Sequence, residues 1–225
     1  MRGLLRKMVQ PLLWKGYRWY LRKKRWYHHD GLAICIYPSV FHPGWLGTTK
    51  NLLHFIRSLE LKNKQMLELG AGSGLLSLWA SRAGARVTAS DINPLAIQSI
   101  QESAQRNQLS LTVIHSDLFT AIPPQVFDVM LINPPFYPQQ PQNDRERAFF
   151  CGPNFEYFHQ LFATIQSYLA PQAEVYMILT DDCDLKTIGD LAKQSAIQMT
   201  LKEKGTHWQE EHLVYQLVFT ERGEQ

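Results

Sequence analysis

The sequence predicts an α/β domain: a seven-stranded, mostly parallel sheet with helices on both faces and a C-terminal antiparallel hairpin. Three observations carry that expectation. From Lys64 onward, short apolar runs alternate with helical patterns. A glycine-rich turn, Gly70-Ala71-Gly72-Ser73-Gly74, leaves the first of those runs and enters a helix. Two apolar runs with no helical pattern between them close the chain. The size agrees: 225 residues, 45% hydrophobic and 19% charged, make one domain with a small appendage. A chain of that length hides roughly 70% of its unfolded surface and needs no covalent staples.

Taken in order, residues 1–30 form a basic and aromatic arm, and residues 31–225 form the domain. Nine of the 23 Lys and Arg lie between Arg2 and Arg25, and the first acid is Asp30. The rest of the chain then carries 14 cations against 20 acids. Leu4, Leu5, Met8, Val9, Leu12 and Leu13 recur at near-helical spacing, with Pro11 as a kink. Leu32–Tyr37 reads as a short strand and 38–47 as a loop. A helix begins at Thr48 or Thr49, with Leu52, Leu53, Ile56 and Leu59 along one face. Gln65–Leu69 and Arg86–Ser90 read as strands around a helix at Ser73–Arg82. Asn93 caps the next helix and Pro94 takes its first turn, where a missing N–H costs nothing. That helix buries Ile97, Ile100 and Ala104. Leu111–His115 and Phe127–Ile132 are further strands, and 134–153 is a Pro- and Gln-rich loop. Asn154 caps a helix carrying Phe155, Phe158, Phe162 and Ile165. Strands at Glu174–Leu179, Ile197–Glu203 and His212–Thr220, with a helix at Lys186–Gln194, complete the order.

Composition excludes several classes. With 12% aromatics and no long polar tract, the chain is not low-complexity disorder. The longest apolar stretch, Gly31–Tyr37, falls far short of the roughly 20 residues that span a bilayer. Cys35, Cys151 and Cys183 are scattered and odd in number, so neither a disulfide framework nor a metal site is expected. A reducing cytoplasm suits them. The basic N-terminus has its apolar run broken by Gln10 and Pro11, so no secretory signal is expected.

The chemistry concentrates in three motifs. Glycines at a strand-to-helix turn let the backbone approach a ligand closely. Asp91, at the end of the next strand, is an acceptor-only carboxylate suited to two ribose hydroxyls. A dinucleotide site wants its third glycine three positions after the second, where this chain has Leu75. Glu68 before the turn repels a pyrophosphate and favours a cation. A glycine turn alone also fits ordinary tight packing, and Asn133-Pro134-Pro135 alone fits an ordinary turn. Their places at the carboxyl edge of a parallel sheet favour a site.

Glu68, Gly70, Gly72 and Gly74 resemble motif I of the Rossmann-like, S-adenosylmethionine-dependent methyltransferases, and Ser90-Asp91-Ile92-Asn93 resembles their acidic motif. The resemblance implies that Asp91 holds the ribose and that Asp117, of Ser116-Asp117-Leu118, lies by the adenine amine. Asn133-Pro134-Pro135-Phe136 resembles the motif of family members that methylate a planar nitrogen: adenine N6, guanine N2 or a glutamine amide. Such a nitrogen has its lone pair delocalised and is a poor nucleophile. The Asn133 side-chain oxygen and the Pro134 carbonyl can each accept one N–H, turning the lone pair towards a sulfonium methyl. Pro135 holds Pro134 extended, and Phe136 offers a stacking face. No general base is required, so none of the eight histidines is nominated.

Residues Arg147–Asn154 and the helix after them look like parts of the protein-glutamine methyltransferases that act on release factors, and residues 31–57, with Val40-Phe41-His42-Pro43 before a helix, look like the lead-in element of the same broad group. This chain departs from them at Phe136, where they carry Tyr, and in its short arm. The resemblance covers residues 31–180. The favoured substrate is an exocyclic base amine, in RNA more than DNA. A protein glutamine amide, a non-catalytic binding module and, distantly, an NAD-dependent oxidoreductase remain as alternatives. The arm itself reads as a packed appendage, an RNA-binding segment, or a peripheral membrane contact through its Trp and Tyr residues.

Overall fold

The structure is a computed structural model and describes residues 22–44, 47–207 and 210–220. The helical spacing at Leu4–Leu13 and the aromatic residues Trp14–Tyr20 lie outside the described residues. Among those described, no helix is long and apolar enough to cross a membrane.

Arg25–His29 (β1) and Leu32–Ile36 (β2) form an antiparallel hairpin. Asp30 and Gly31, both left-handed at φ 50° and 73°, make its two-residue turn. The last residues of the arm are therefore strand. The outer edge of β2 is satisfied by a helix rather than another strand. Ser103 Oγ accepts from Cys35 N–H at 2.8 Å, Ser99 Oγ donates to the Cys35 carbonyl, and Asn107 exchanges bonds with both backbone groups of Ala33. Residues 99, 103 and 107 recur every four positions, along one face of that helix.

After the helix Thr48–Ile56 (α1) comes the main sheet, with Gln65–Leu69 (β3), Arg86–Asp91 (β4), Thr112–His115 (β5) and Phe127–Ile132 (β6). Leu169–Thr180 (β7), Ile197–His207 (β8) and Glu210–Phe219 (β9) complete it in the order β5-β4-β3-β6-β7-β9-β8. β5, β4, β3, β6 and β7 run parallel, and β9 pairs antiparallel with both β7 and β8. This is the expected α/β architecture with its terminal hairpin.

Alternation along each strand feeds two cores. Met66, Val129 and Leu131 face Leu52, Ile56 and Leu76 on one side. Leu67, Met130 and Ile132 face Phe158, Leu161 and Ile188 on the other. The covering helices are Leu75–Arg82 (α2), Pro94–Asn107 (α3), Asp144–Arg147 (α4), Glu156–Thr164 (α5) and Leu185–Gln194 (α6).

Several boundaries differ from expectation. α2 starts at Leu75 rather than Ser73, because Gly70, Gly72 and Gly74 are all left-handed and hold the turn open longer. Ile97 is only half-buried; α3 buries Ala96, Ser99 and Ser103 beside Ile100 and Ala104. The 134–153 loop contains the short α4, started by the Asn143 side chain accepting from Glu146 N–H. Phe155, at φ 59°, precedes α5 in place of Asn154, whose N–H and side chain both donate to Glu156. β7 begins at Leu169 and crosses a register shift opposite β6, so its start falls outside a simple alternating pattern.

Candidate active site

The parallel register brings Leu69, Ser90, Ile114 and Ile132 level across four strands. The residues that follow them therefore emerge together at one sheet edge and line a cavity of about 1210 Å³. That volume exceeds the roughly 300–1,000 Å³ of a single small-molecule site and leaves room for two reactants.

The glycine loop forms one wall. A Cβ on Gly70 would meet nothing within 4 Å, so this backbone faces open space. A Cβ on Gly74 would fall 2.7 Å from Ile100 Cγ1; this glycine is required by close packing of the loop on α3. Asp91 tightens the wall. Its Oδ2 accepts from Gly72 N–H at 2.7 Å and its Oδ1 from Asn93 N–H at 2.8 Å. Each oxygen keeps lone-pair capacity for another donor. Burial pushes the Asp91 carboxyl above its ordinary range, with the two backbone donors opposing it. Asn93 caps α3 by accepting from Leu95 N–H at 2.9 Å.

Glu68 is also at this wall, 5% exposed. Its Oε2 accepts from Ser77 N–H at 2.7 Å and from the Ser77 hydroxyl, satisfying the first turn of α2. Burial pushes its carboxyl up to about 8, which favours the protonated form at neutral pH. Ile92, Asp117 and Leu118 complete this end. Leu118 is left-handed at φ 45°, and its carbonyl accepts from Ser116 Oγ at 2.8 Å. Tyr157 on α5 joins them. Burial and the nearby Asp91 and Asp117 carboxylates raise its hydroxyl, which stays a neutral donor.

The opposite wall holds Asn133, Pro134, Pro135 and Phe136. Asn133 Nδ2 donates to Thr48 Oγ1 at 3.3 Å and Thr49 Oγ1 at 3.5 Å, which leaves Oδ1 as the acceptor. Both threonines are buried at the start of α1. Phe136 N–H and Tyr137 N–H both donate to the Phe149 carbonyl, at 3.1 and 2.9 Å, and the two rings meet edge to face at 4.7 Å. The loop after the prolines is thus pinned back over the cavity. Arg147 reaches the same space.

Every site residue expected from the sequence lines this one cavity except Gly74, which packs against Ile100 of α3 instead. Thr48, Thr49 and Tyr157 were missed: nothing in their local sequence separates them from ordinary helix residues. The group this site is read to hold fits the residues present. Gly70 supplies an open backbone cradle, Asp91 supplies acceptors, and Ser90 Oγ is buried at the wall with no hydrogen-bond partner among the described residues. A polar ligand that reached Ser90 would satisfy it.

Known proteins resemble this chain. A family model described as the methyltransferase small domain matches residues 31–193. A protein assigned as an N5-glutamine methyltransferase in Methanocaldococcus jannaschii is 34% identical over 110 residues, 48% of this chain and 53% of that one. The tRNA1(Val) (adenine(37)-N6)-methyltransferase of Shewanella loihica is 36% identical over 126 residues, 52% of each chain. The chain spans about half the length of these curated relatives. Among solved structures, the T. thermophilus 16S rRNA N2 G1207 methyltransferase, in complex with AdoMet and guanosine, superposes with TM-score 0.60. It is 20% identical, over 86% of this chain and 50% of that one, a likeness of fold.

Proposed function

Because the chain belongs to the methyltransferase small-domain family, we propose that it is an S-adenosylmethionine-dependent N-methyltransferase acting on an exocyclic base amine in RNA. The observation that carries this reading is Asn133: its Nδ2 is tied to Thr48 and Thr49, and its Oδ1 is left as acceptor in the cavity that Gly70 and Asp91 line.

Gly70 and Gly72 would cradle the cofactor's amino-acid part, Asp91 its ribose, and Asp117, Ile92 and Leu118 its adenine end. The bound cofactor supplies a methyl group on a sulfonium, with a neutral thioether as leaving group. Asn133 Oδ1 and the Pro134 carbonyl accept the two amine N–H groups and turn the nitrogen lone pair into line. Phe136, braced by Tyr137, presents a face for the base plane. Orientation and fixed dipoles supply the acceleration, since well-aligned reactants reach effective molarities of about 10⁵ M or more. The proton leaves after the methyl has arrived, so the chain needs no strong base.

RNA is favoured over protein by the nine cations between Arg2 and Arg25, interleaved with aromatics. Lys50 and Arg147 at the cavity add positive charge for phosphates. A reducing compartment belongs to the same reading, since the three cysteines are free and buried. The glutamine-amide reading is favoured by the M. jannaschii relative, and a primary amide would meet Asn133 in the same way. Tritiated methyl transfer to total RNA, DNA and protein separates these readings. Label in RNA is expected, and label confined to protein rejects the base-amine reading. A non-catalytic binder would transfer no label to any of them.

A further inference from the structure

The β8–β9 hairpin brings a buried polar relay to the Asn133 side of the cavity. β9 runs antiparallel to β7 with His212 opposite Thr180, so β9 begins at the sheet edge where β6 ends. His212 is fully buried, at 0% exposed. Its Nδ1 lies 2.6 Å from Asn51 Nδ2, and its Nε2 lies 3.3 Å from Glu210 Oε2. Because Asn51 Nδ2 only donates, Nδ1 accepts and Nε2–H donates to Glu210. Close backbone approach holds the relay in place: a Cβ on Gly205 would fall 2.7 Å from Asn51 Nδ2, and one on Gly47 would fall 2.5 Å from His207 Cγ. Asn51 lies three residues along α1 from Thr48, the partner of Asn133, and such positions are neighbours about 5–6 Å apart. Glu210 and Asn133 therefore face the same cavity from adjoining elements.

An ionised carboxylate accepts and never donates. With both amine N–H groups taken by Asn133 and Pro134, Glu210 calls for a further N–H on the same substrate. Guanine carries one, on N1 beside its N2 amine. Adenine has a bare N1 lone pair that a carboxylate repels, and a primary amide has no third N–H. We propose that Glu210, oriented by His212 and Asn51, accepts the N1–H of guanine and selects guanine N2 as the methylated nitrogen. This rests on the base-amine reading above.

The test uses the full chain, tritiated S-adenosylmethionine and total RNA, digested to nucleosides and chromatographed. Label is expected in N2-methylguanosine. Label in N6-methyladenosine leaves the base-amine reading standing and overturns the role of Glu210; label confined to protein overturns the reading itself. With the labelled position mapped, a transcript carrying 2-aminopurine there keeps the N2 amine and loses the N1–H. The unaltered protein is expected to methylate it at least about tenfold more slowly than guanine. Glu210→Gln, whose amide can donate to the bare N1, is expected to narrow that ratio to within about threefold while the thermal shift with S-adenosylhomocysteine stays unchanged. Equal rates on guanine and 2-aminopurine in the unaltered protein overturn the proposal without any variant. Asn51→Ala, a positioning change, is expected to raise the RNA KM several-fold with little change in kcat; a fall in kcat alone would count against the relay.

Discussion

Gly72 and Asp91 lie 19 residues apart and bond directly across adjacent strands. Asn133 takes its partners from Thr48 and Thr49, 85 and 84 residues away, and His212 meets Asn51 across 161 residues. The glycine wall is thus made from one strand-turn-helix unit and the strand beside it. The Asn133 wall is assembled from three distant pieces: the end of β6, the start of α1 and the β8–β9 hairpin. A wall built from backbone N–H groups and left-handed glycines is fixed once its strands pair. A wall built from converging side chains is fixed only when the whole domain closes. The two should therefore respond differently to mutation, the first in ligand binding and stability, the second in turnover.

The largest effect is expected for Asn133→Ala. It should lower methyl transfer about 10²-fold or more with the S-adenosylhomocysteine thermal shift intact. A variant that kept its rate would remove the basis for separating the two walls. Asp91→Asn should do the reverse, weakening the cofactor roughly 10- to 100-fold by calorimetry, because one of its oxygens becomes a donor.

Gly74→Ala should cost about 2–4 kcal/mol in urea unfolding, since the new Cβ meets Ile100 at a backbone φ of 75°. Gly70→Ala, with the same hand of backbone and open space around it, should cost only about 1 kcal/mol. Equal losses at the two positions would show that backbone strain alone matters there.

Glu68 supplies a pH test. Its carboxyl titrates near 8 in the folded protein, above its ordinary value of 4.5, so the native state holds the proton longer. Its contribution to stability is complete below that ordinary value and is lost as pH rises to about 8, by roughly 2–5 kcal/mol. Glu68→Gln should flatten that decline in unfolding measured from pH 5 to 9. In the unaltered protein, affinity for cationic S-adenosylmethionine should rise relative to neutral S-adenosylhomocysteine across the same range. Thr48→Val should act least, slowing turnover about three- to tenfold without moving cofactor affinity. A change in cofactor affinity instead would join the two walls into one unit.

Much of the first wall is legible in the residues alone. Asn93-Pro94 caps and starts α3 as expected, because capping depends on four consecutive residues. Gly70, Gly72, Asp91 and Asn133-Pro134-Pro135-Phe136 reach one cavity, whereas Gly74 packs on Ile100. Asp30-Gly31 is also a two-residue hairpin signal, one that the basic composition of the arm masks. The histidines show the opposite case. His207 and His212, five residues apart, share no helix face, but hairpin pairing of His207 with Glu210 brings their rings to 6.2 Å. The Ser99, Ser103 and Asn107 face of α3 reads as a polar, solvated stripe until β2 is laid against it.

By itself, the sequence determined the strands of the main sheet, their common edge and the glycine loop, since hydrophobic period, turn chemistry and helix caps act over a few neighbouring residues. Tertiary structure alone decided which way the Asn133 amide points, which threonines hold it, and that His212 is buried between Asn51 and Glu210. Those contacts join residues whose local preferences carry no record of one another, and only closure of the sheet brings them within hydrogen-bond reach.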